Sequence, residues 1–528
     1  MAQVFQVYYQ FLHELLRHHT RSPVSVLLLV CPLLVLLLLR RHGKGGAGAT
    51  REQLLSKLPS PPGRLPVIGH LHLVGSLPHV TLRDLAAKHG RGGLLFLRLG
   101  AVPTLVVSSA RAAQAIMRTH DHAFASRPYS AATDIIFYGS KDVAFSPYGE
   151  HWRQVKKIAT THLLTSKKVR CYRHAREQEM RLVLAKIHKA AVTHMAVNLT
   201  ELLHTFANVI CHAVSGKFGK EEGHNRLFRE LSEENSLLMG GFNLEDYFPV
   251  LVKLDIIKRM LCAKAQKVNK RWDELIDKLI EAHESRPASE CSGEESDFID
   301  VLLSIQHEYN LTMEDIKAQL VVMFQGGTDT SYVALEYVMV ALMRNPLLMT
   351  KLQTEVRMAV PKGKEMVTED DLNGLIYLRA IVKETLRLHA PSPLLVPHLS
   401  VAECDIEGYT IPSGTRVFIN IFALARDPSY WENPNEFMPE RFMEGGSAAT
   451  MDYKGNDFSY LPFGSGRRMC PGINFAISMI EIMIANLVYH FNWELPPKLV
   501  EQGLDMTESF GLTVHRTENL HLVPVVPN

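Results

Sequence analysis

The stretch that decides the fold is Phe463-Gly464-Ser465-Gly466-Arg467-Arg468-Met469-Cys470-Pro471-Gly472, which places one cysteine before a long apolar segment. Its three glycines allow the backbone to fold closely against a bulky flat object, where a Cβ atom would collide. Apolar residues then recur at helical spacing from Ile473 to His490, and Pro471 suits a helix start. Because the N-terminus of a helix lowers the pKa of a nearby thiol, Cys470 is predicted to bind a metal as a thiolate.

The same stretch resembles the haem-binding loop of the cytochromes P-450, whose pattern is Phe-x-x-Gly-x-Arg-x-Cys-x-Gly. All five fixed positions are met, by Phe463, Gly466, Arg468, Cys470 and Gly472. A lone cysteine is usually a small buried hydrophobe, but five matched positions in ten favour the functional interpretation. The resemblance implies that Cys470 is the axial ligand of haem b iron. It also implies that Phe463 and Gly472 contact the haem and that Arg468 pairs with a propionate.

Composition excludes several classes of protein. The chain has 528 residues, a net charge of +2 and 21% charged residues, so it offers no broad cationic face for nucleic acid. Its seven cysteines contain no Cys-x-x-Cys pair, which argues against a disulfide scaffold and against a structural zinc site. A reducing compartment fits this pattern.

The amino terminus carries the clearest shift in composition. After an N-terminal segment, residues 1–23, the run 24–39 is almost wholly apolar and predicts a transmembrane anchor. Because the run is shorter than the ~20 residues that a spanning helix needs, the preceding residues or a thinned bilayer must contribute. A cleaved signal peptide is the alternative. Lys and Arg are more frequent after the run than before it, which places the carboxyl side in the cytosol, and hence predicts a single-pass protein of the endoplasmic reticulum membrane.

The rest of the chain is predicted to be one catalytic domain, residues 58–528, joined to the anchor by a basic, glycine-rich linker, residues 40–57. Prolines make residues 58–66 an extended spacer. Strands are expected at 67–69, 94–98 and 104–107, whereas most other segments have helical periodicity. The predicted fold class is therefore mainly α with small β-sheets, preceded by one transmembrane helix, and the resemblance implies the cytochrome P-450 fold.

A helix is predicted from Ile316 to about Met343, with Gly-Gly-Thr-Asp-Thr-Ser at residues 326–331 in its middle. Each glycine costs a helix ~1 kcal/mol relative to alanine, so a flat ligand lying close by is one possible compensation. A kink in which Asp329 and Thr330 cap exposed backbone is the alternative. The resemblance implies that Asp329 and Thr330 deliver protons to oxygen bound at the iron.

Three further residues are candidates for contact with haem propionates. Trp152 and Lys156 lie four apart on one face of a basic helix, and an aromatic residue packed beside a solvated lysine is the alternative interpretation. The family has Trp-x-x-x-Arg here, so Lys156 keeps the charge but loses bidentate geometry. His398 follows a proline-rich extended segment, where the family places a His or Arg against a propionate. An ordinary hydrogen-bonded histidine is its alternative.

A structural network is predicted from Glu384, Arg387 and Arg441. The first two lie three apart on one helical face, a spacing that is usually only a solvated ion pair. Arg441 stands in Pro-Glu-Arg-Phe at residues 439–442. The resemblance implies that the three form a buried network that supports the cysteine loop.

The ordered set of motifs implies a membrane-anchored haem-thiolate monooxygenase that inserts one oxygen atom from O2 into a small apolar substrate. No dinucleotide-binding fingerprint follows a predicted strand, so electrons must come from NADPH through a separate flavoprotein reductase. Docking is expected on the cysteine side, guided by Lys156, Lys157 and Arg467. A haem-thiolate isomerase or dehydratase and a non-catalytic haem protein remain alternatives.

The substrate is harder to infer, because such pockets are built from dispersed apolar side chains. Segments 225–231, 240–249 and 366–370 resemble grass members of the family in benzoxazinoid defence metabolism. The resemblance suggests indole or a related precursor, with another plant terpenoid or phenolic as the alternative. The pocket residues expected by family position are Ile135, Tyr138, Phe242, Phe324, Leu395, Phe510 and Leu512.

Overall fold

The computed structural model describes residues 46–207, 209–216, 224–240, 242–253, 255–285 and 296–527. The predicted anchor at 24–39, the segment before it and the first residues of the linker lie outside this part of the chain. Helices dominate and the strands are short, so the prediction of a mainly helical fold with small sheets is confirmed.

Among the described residues, fifteen α-helices precede the central helix in the sequence. They are α1 Gly46–Ser56, α2 Pro78–His89, α3 Ala110–Gln114, α4 Asp121–Phe124, α5 Ala131–Ile136, α6 Glu150–Ile158, α7 Ser166–Cys171, α8 Arg173–Val192, α9 Leu199–Ala207, α10 Val209–Ser215, α11 His224–Met239, α12 Leu244–Tyr247, α13 Asp255–Leu261, α14 Ala263–Glu284 and α15 Phe298–Ser304. The others are α16 Met313–Arg344, α17 Pro346–Ala359, α18 Ile376–Leu388, α19 Ile421–Leu424, α20 Ile473–His490 and α21 Pro497–Gln502. Single π-helical turns, Ala115–Thr119 and Ala159–Leu163, continue α3 and α6.

Helix α16 is the centre of the fold, because it packs against α9, α10, α11, α14, α15, α17, α18 and α20. It begins with a capping box, in which Thr312 accepts the N–H of Asp315 and Asp315 accepts the N–H of Thr312. Its bounds agree with the sequence prediction to within three residues at the start and one at the end. The helix is continuous through both glycines.

Packing explains one of these glycines. A Cβ atom on Gly327 would lie 2.5 Å from Cγ1 of Ile210 on α10, so the absence of a side chain lets the two helices approach closely. Gly326 has no atom within 4 Å of its Cβ position and borders open space on another face of α16. The predicted compensation by a flat ligand can therefore apply only to Gly326.

The strands are β1 Leu94–Leu99, β2 Val102–Val107, β3 Val197–Asn198, β4 His398–Leu399, β5 Cys404–Ile406, β6 Tyr409–Ile411, β7 Arg416–Ile419, β8 Asn492–Glu494, β9 Glu508–Ser509, β10 His515–Arg516 and β11 His521–Val525. The main sheet has the order β1-β2-β7-β4, in which only β2 and β7 are parallel. A second sheet has β11 between β3 and β8, and β5–β6 and β9–β10 are two-stranded pairs. The strands predicted at 94–98 and 104–107 are β1 and β2.

The chain before β1 differs from the prediction. Val67 has a φ of 66°, and only an isolated bridge joins Leu65 to Gly69, so the strand predicted at 67–69 is a turn. Residues 46–56 of the predicted linker form α1, and its Leu55 is buried together with Leu58. The proline-rich segment thus lies along the domain instead of extending away from it, because apolar side chains on both sides of it join the core.

Helix α20 is confirmed over the predicted range Ile473–His490. Among the described residues it is long and apolar enough to cross a membrane. Since 56% of it is buried inside the protein, it has the character of a core helix.

Candidate functional site

Cys470 lies in a closed loop, three residues before the start of α20. Its N–H donates to the carbonyl of Phe463 at 3.0 Å, and its Sγ accepts the N–H of Gly472 at 3.4 Å. The thiol is accessible, yet the protein surrounds it closely enough for burial to raise its pKa. The Gly472 N–H and the Lys156 charge act in the opposite direction. In the protein alone, desolvation outweighs both effects, so the helix-terminus effect that the sequence predicts is present but does not set the net direction of the pKa.

The loop is fixed to the turn between α3 and α4. Gly466 has a φ of 66°, and a Cβ atom there would lie 2.4 Å from the carbonyl oxygen of Met117. The Arg467 side chain forms an ion pair with Asp121 at 3.0 Å, and its backbone N–H points at the same carboxylate. The close approach requires glycine at position 466.

Two cations, Arg468 and Lys156, are held beside the cysteine. Arg468 donates to the carbonyls of Ala125 and Ser146, each at 2.6 Å, and its guanidinium lies 4.2 Å from the Trp152 ring centroid. Lys156 donates to the carbonyl of Met469 at 2.7 Å. The Trp152 indole N–H is itself bonded to a backbone carbonyl at 3.1 Å. The structure thus brings together three of the predicted cofactor-binding residues.

The structure adds Arg127, which the sequence analysis missed. This buried arginine donates to the carbonyls of Ala144, Val396 and Pro397 at 2.7–2.9 Å. Burial, and then the charge of Arg468, lower its pKa well below the ordinary value. In the sequence it is a single arginine before a proline, a pattern that has no spacing to distinguish it.

These cations test whether the site fits a haem group. The hydrogen bonds described for Arg127, Lys156 and Arg468 all end on backbone carbonyls, which carry only partial charges. Burial lowers the pKa of Lys156, and lowers that of Arg468 to about 10. Buried Asp142 lies nearby, but burial raises its own pKa to about 6. A surplus of positive charge next to a thiol suits a ligand that combines a soft metal ion with carboxylates, so the residues fit haem.

His398 lies in the same cluster, on β4. Its Nδ1 is 2.8 Å from the carbonyl oxygen of Phe124, so this nitrogen carries the proton of the neutral ring. Burial, Arg127 and Arg468 lower the pKa of His398 to about 3. The ring would donate from Nε2 to an anion only after taking up a second proton.

Asp329 and Thr330 point away from each other on α16. The Thr330 hydroxyl donates to the carbonyl of Gly326 at 2.7 Å and lies on the open side of the helix. Asp329 is buried and accepts a hydrogen bond from the Thr513 hydroxyl. Burial raises the pKa of Asp329 to about 6, against the opposite effect of the Thr513 and Ser236 hydroxyls.

Glu384, Arg387 and Arg441 meet in one buried network. Arg387 forms two bonds with the Glu384 carboxylate, at 2.7 and 2.8 Å, and both side chains are 0% exposed. Arg441 reaches the same carboxylate at 3.3 Å, and Met438 donates its N–H to it at 2.7 Å. Arg387 also donates to backbone carbonyls of the segment that leads to the cysteine loop.

Three of the predicted pocket residues, Leu395, Phe510 and Leu512, line one narrow cleft. Phe242 lies beside it, with its ring centroid 5.6 Å from that of Phe510. The remaining predicted pocket residues are not part of this lining. Ile135 packs against the core, the Tyr138 hydroxyl donates to Asp273 at 2.9 Å, and Phe324 is stacked between Phe228 and Trp272.

The sequence and the fold are similar to those of known proteins. The profile of the cytochrome P450 family matches residues 59–523. The chain is 51% identical to the indole-2-monooxygenase of Zea mays, over 99% of both proteins. It is 51% identical to indolin-2-one monooxygenase and 47% identical to 3-hydroxyindolin-2-one monooxygenase from the same plant, each over 98% of both proteins. A zebrafish cytochrome P450 structure with progesterone superposes with a TM-score of 0.70 at 22% identity, over 85% of this chain and 99% of that one.

Proposed function

The chain belongs to the cytochrome P450 family, and from this premise we propose that it hydroxylates indole or a closely related bicyclic aromatic compound. It is a haem-thiolate monooxygenase, similar over nearly its whole length to maize monooxygenases named for indole derivatives. Haem bound through a cysteine thiolate supplies the activation of dioxygen that this reaction requires. The proposal concerns which molecule receives the oxygen atom.

Several residues of the chain would hold the cofactor, each through a different contact. Cys470 is the metal ligand, and the Gly472 N–H and the Lys156 charge favour its thiolate form. Arg127 and Arg468 would pair with the haem carboxylates, and the Trp152 ring supports the Arg468 guanidinium. On the open side of α16, the Thr330 hydroxyl would hold a proton for the reaction, whereas Asp329 lies on the buried side of the helix.

The aromatic character of the cleft carries the substrate proposal. Phe242 stacks on Phe418 at 5.8 Å and meets Phe510 edge to face at 5.6 Å, so flat rings form one side of the cleft. Leu395 and Leu512 supply aliphatic contacts. Such a lining binds a flat bicyclic ring by stacking and burial, and offers few side-chain donors for a strongly polar ligand.

We also propose an endoplasmic reticulum location, with residues 24–39 as a single membrane anchor, and electron supply by an NADPH-dependent flavoprotein reductase. Lys157 and Arg467 are exposed on the cysteine side and would face the acidic surface of such a partner. Lys156 bonds inward to the cysteine loop, so its contribution to docking is smaller. Charge reversal at Lys157 and Arg467 should slow reduction and weaken its salt dependence, and an unchanged salt dependence would exclude this docking surface.

The substrate is tested with the full-length protein in membranes together with a plant reductase. Indole, indolin-2-one and 3-hydroxyindolin-2-one are supplied separately, with one terpenoid and one phenolic as comparisons, and product masses are measured. The expected result is the addition of one oxygen atom, with NADPH consumption, to one of the three indole compounds. Oxidation of only the terpenoid or phenolic would overturn the proposal. Conversion without NADPH would indicate an isomerase or dehydratase. Haem binding without oxygen uptake would indicate a non-catalytic protein.

A further inference from the structure

Ser236, Asp329 and Thr513 form a buried group that joins three separate parts of the fold. Ser236 lies near the end of α11, Asp329 in the middle of α16 and Thr513 in the segment between β9 and β10. The three residues are 3%, 2% and 1% exposed. None of them has a role in holding haem, and only Asp329 stands out in the sequence.

The hydrogen bonds within the group form a short chain. The Thr513 hydroxyl donates to the Asp329 carboxylate, and the Ser236 and Thr513 hydroxyl oxygens are 2.8 Å apart. Since the Thr513 proton is used toward Asp329, the Ser236 hydroxyl donates to Thr513. Ser236 also receives the N–H of Thr513 on its hydroxyl at 3.3 Å and the N–H of Leu512 on its carbonyl at 2.8 Å.

The segment that carries Thr513 is held firmly on both sides. Before it, Glu508 receives a hydrogen bond from Tyr337 of α16 at 2.9 Å. After it, Val514 donates its N–H to the carbonyl of Pro391 at 2.8 Å. In between, a Cβ atom on Gly511 would lie 2.9 Å from the Ser236 hydroxyl oxygen, so the segment and α11 are in close contact. Thr513 therefore has little freedom to leave Asp329 while the segment is in place.

Charged neighbours do not account for the orientation of Asp329. Glu233 on α11 and burial both oppose its ionisation, and Tyr332 on α16 has its own pKa raised partly by Asp329. His515, in β10, interacts with Glu233. The interactions that favour the carboxylate come from the two hydroxyls, because Thr513 donates to it directly and Ser236 donates to Thr513.

We propose that Thr513 and Ser236 are positioning residues for Asp329, and that they link its orientation to the segment that borders the substrate cleft. This inference rests on the proposed function. A hydroxyl both donates and accepts, so the chain supports the carboxylate when it is ionised and can reverse direction when the carboxyl is protonated. Phe510 and Leu512 line the cleft, and Leu512 immediately precedes Thr513, so a substrate that contacts them acts on the same segment.

The test uses the haem-loaded, full-length protein with Thr513→Val, Thr513→Ser, Ser236→Ala and Asp329→Asn. Thr517→Val is the matched control, because Thr517 lies close to Thr513 in the sequence, just after β10, and its hydroxyl bonds to the exposed carbonyl of Thr507. Infrared difference spectroscopy follows the carboxylic C=O band of Asp329 during a pH titration. The band is assigned by its absence in Asp329→Asn. The carbon monoxide spectrum of each variant checks that the thiolate site is intact.

Loss of the Thr513 hydrogen bond to a charged group should raise the midpoint of this band by about one pH unit, that is about tenfold in the protonation equilibrium. Ser236→Ala should produce a smaller rise, Thr513→Ser should restore the wild-type midpoint, and Thr517→Val should leave it unchanged. A wild-type midpoint in Thr513→Val would overturn the proposal. So would a Thr517→Val shift equal to that of Thr513→Val.

A second readout separates positioning from a merely structural role. The fraction of NADPH electrons that appear in product should fall about tenfold in Thr513→Val. It should fall no further when Asp329→Asn is added, because both changes act through one carboxyl group. Additive losses would contradict this. The infrared titration requires neither substrate nor reductase, so it still decides the inference if the proposed substrate is wrong.

Discussion

The sharpest prediction concerns Gly466, whose missing side chain lets the cysteine loop touch the turn after α3. Gly466→Ala places a methyl group 2.4 Å from the Met117 carbonyl oxygen and 2.9 Å from an Asp121 carboxylate oxygen, in a backbone with a φ of 66°. The left-handed conformation costs alanine ~1 kcal/mol. The overlap with rigid backbone adds ~1–3 kcal/mol, because the loop or the turn must move.

Gly445 supplies the matched control. Its φ is 81°, and no atom lies within 4 Å of its Cβ position, so Gly445→Ala has the conformational cost without the overlap. The two variants should therefore differ by ~1–3 kcal/mol in unfolding free energy. Because the shifted loop carries Cys470, only Gly466→Ala should also lose part of the thiolate-type carbon monoxide spectrum.

The measurement is urea unfolding of the haem-loaded protein, followed separately by the haem absorption band and by circular dichroism. Comparing midpoints at equal slope gives the difference in stability. Equal midpoints for the two alanine variants, with unchanged carbon monoxide spectra, would refute the argument that close contact at position 466 holds the cysteine loop in place.

Three other outcomes follow from the buried charges. Glu384→Gln should lower the unfolding free energy by ~3–5 kcal/mol, because it leaves two buried arginines without their carboxylate. Glu440→Gln, at an exposed ion pair, should lower it by less than ~1 kcal/mol. Urea unfolding measures both. Burial raises the folded-state pKa of Asp329 from 3.8 to about 6, so stability should fall as the pH rises through that range. The loss in unfolding free energy should be ~3 kcal/mol in the wild-type protein and absent in Asp329→Asn, when unfolding curves are measured at several pH values across this range. Arg127→Leu should speed the transfer of haem to apomyoglobin, whereas Arg153→Leu at the exposed surface should not.

The parts of the site that the sequence predicted are those that a short pattern specifies. The residues of the Cys470 loop, the start of α20 and the bounds of α16 depend on neighbours a few positions apart, and short motifs and periodicity predict them. Glu384 and Arg441 could be related only through the family resemblance, because 57 positions separate them.

What escaped prediction depends on contacts between distant segments. The role of Arg127 needs carbonyls from residues 144 and 396–397, and nothing local marks it. Phe324 was expected in the pocket, but it lies on the side of α16 that meets Phe228 and Trp272. The role of Thr513 follows only from the folded structure, in which its segment packs against Asp329. A single helix position does not tell which neighbour its side chain will meet.

The contact between Gly511 and Ser236 limits how the substrate range of such an enzyme can change. Side chains at 510 and 512 reach the cleft and can be exchanged one at a time. Position 511 cannot, because a Cβ atom there would lie 2.9 Å from the Ser236 hydroxyl oxygen and 3.1 Å from its carbonyl oxygen. A mutation at 511 would have to be accompanied by a shift of Ser236 on α11. Laboratory libraries aimed at new substrates should therefore vary positions 510 and 512 and keep glycine at 511.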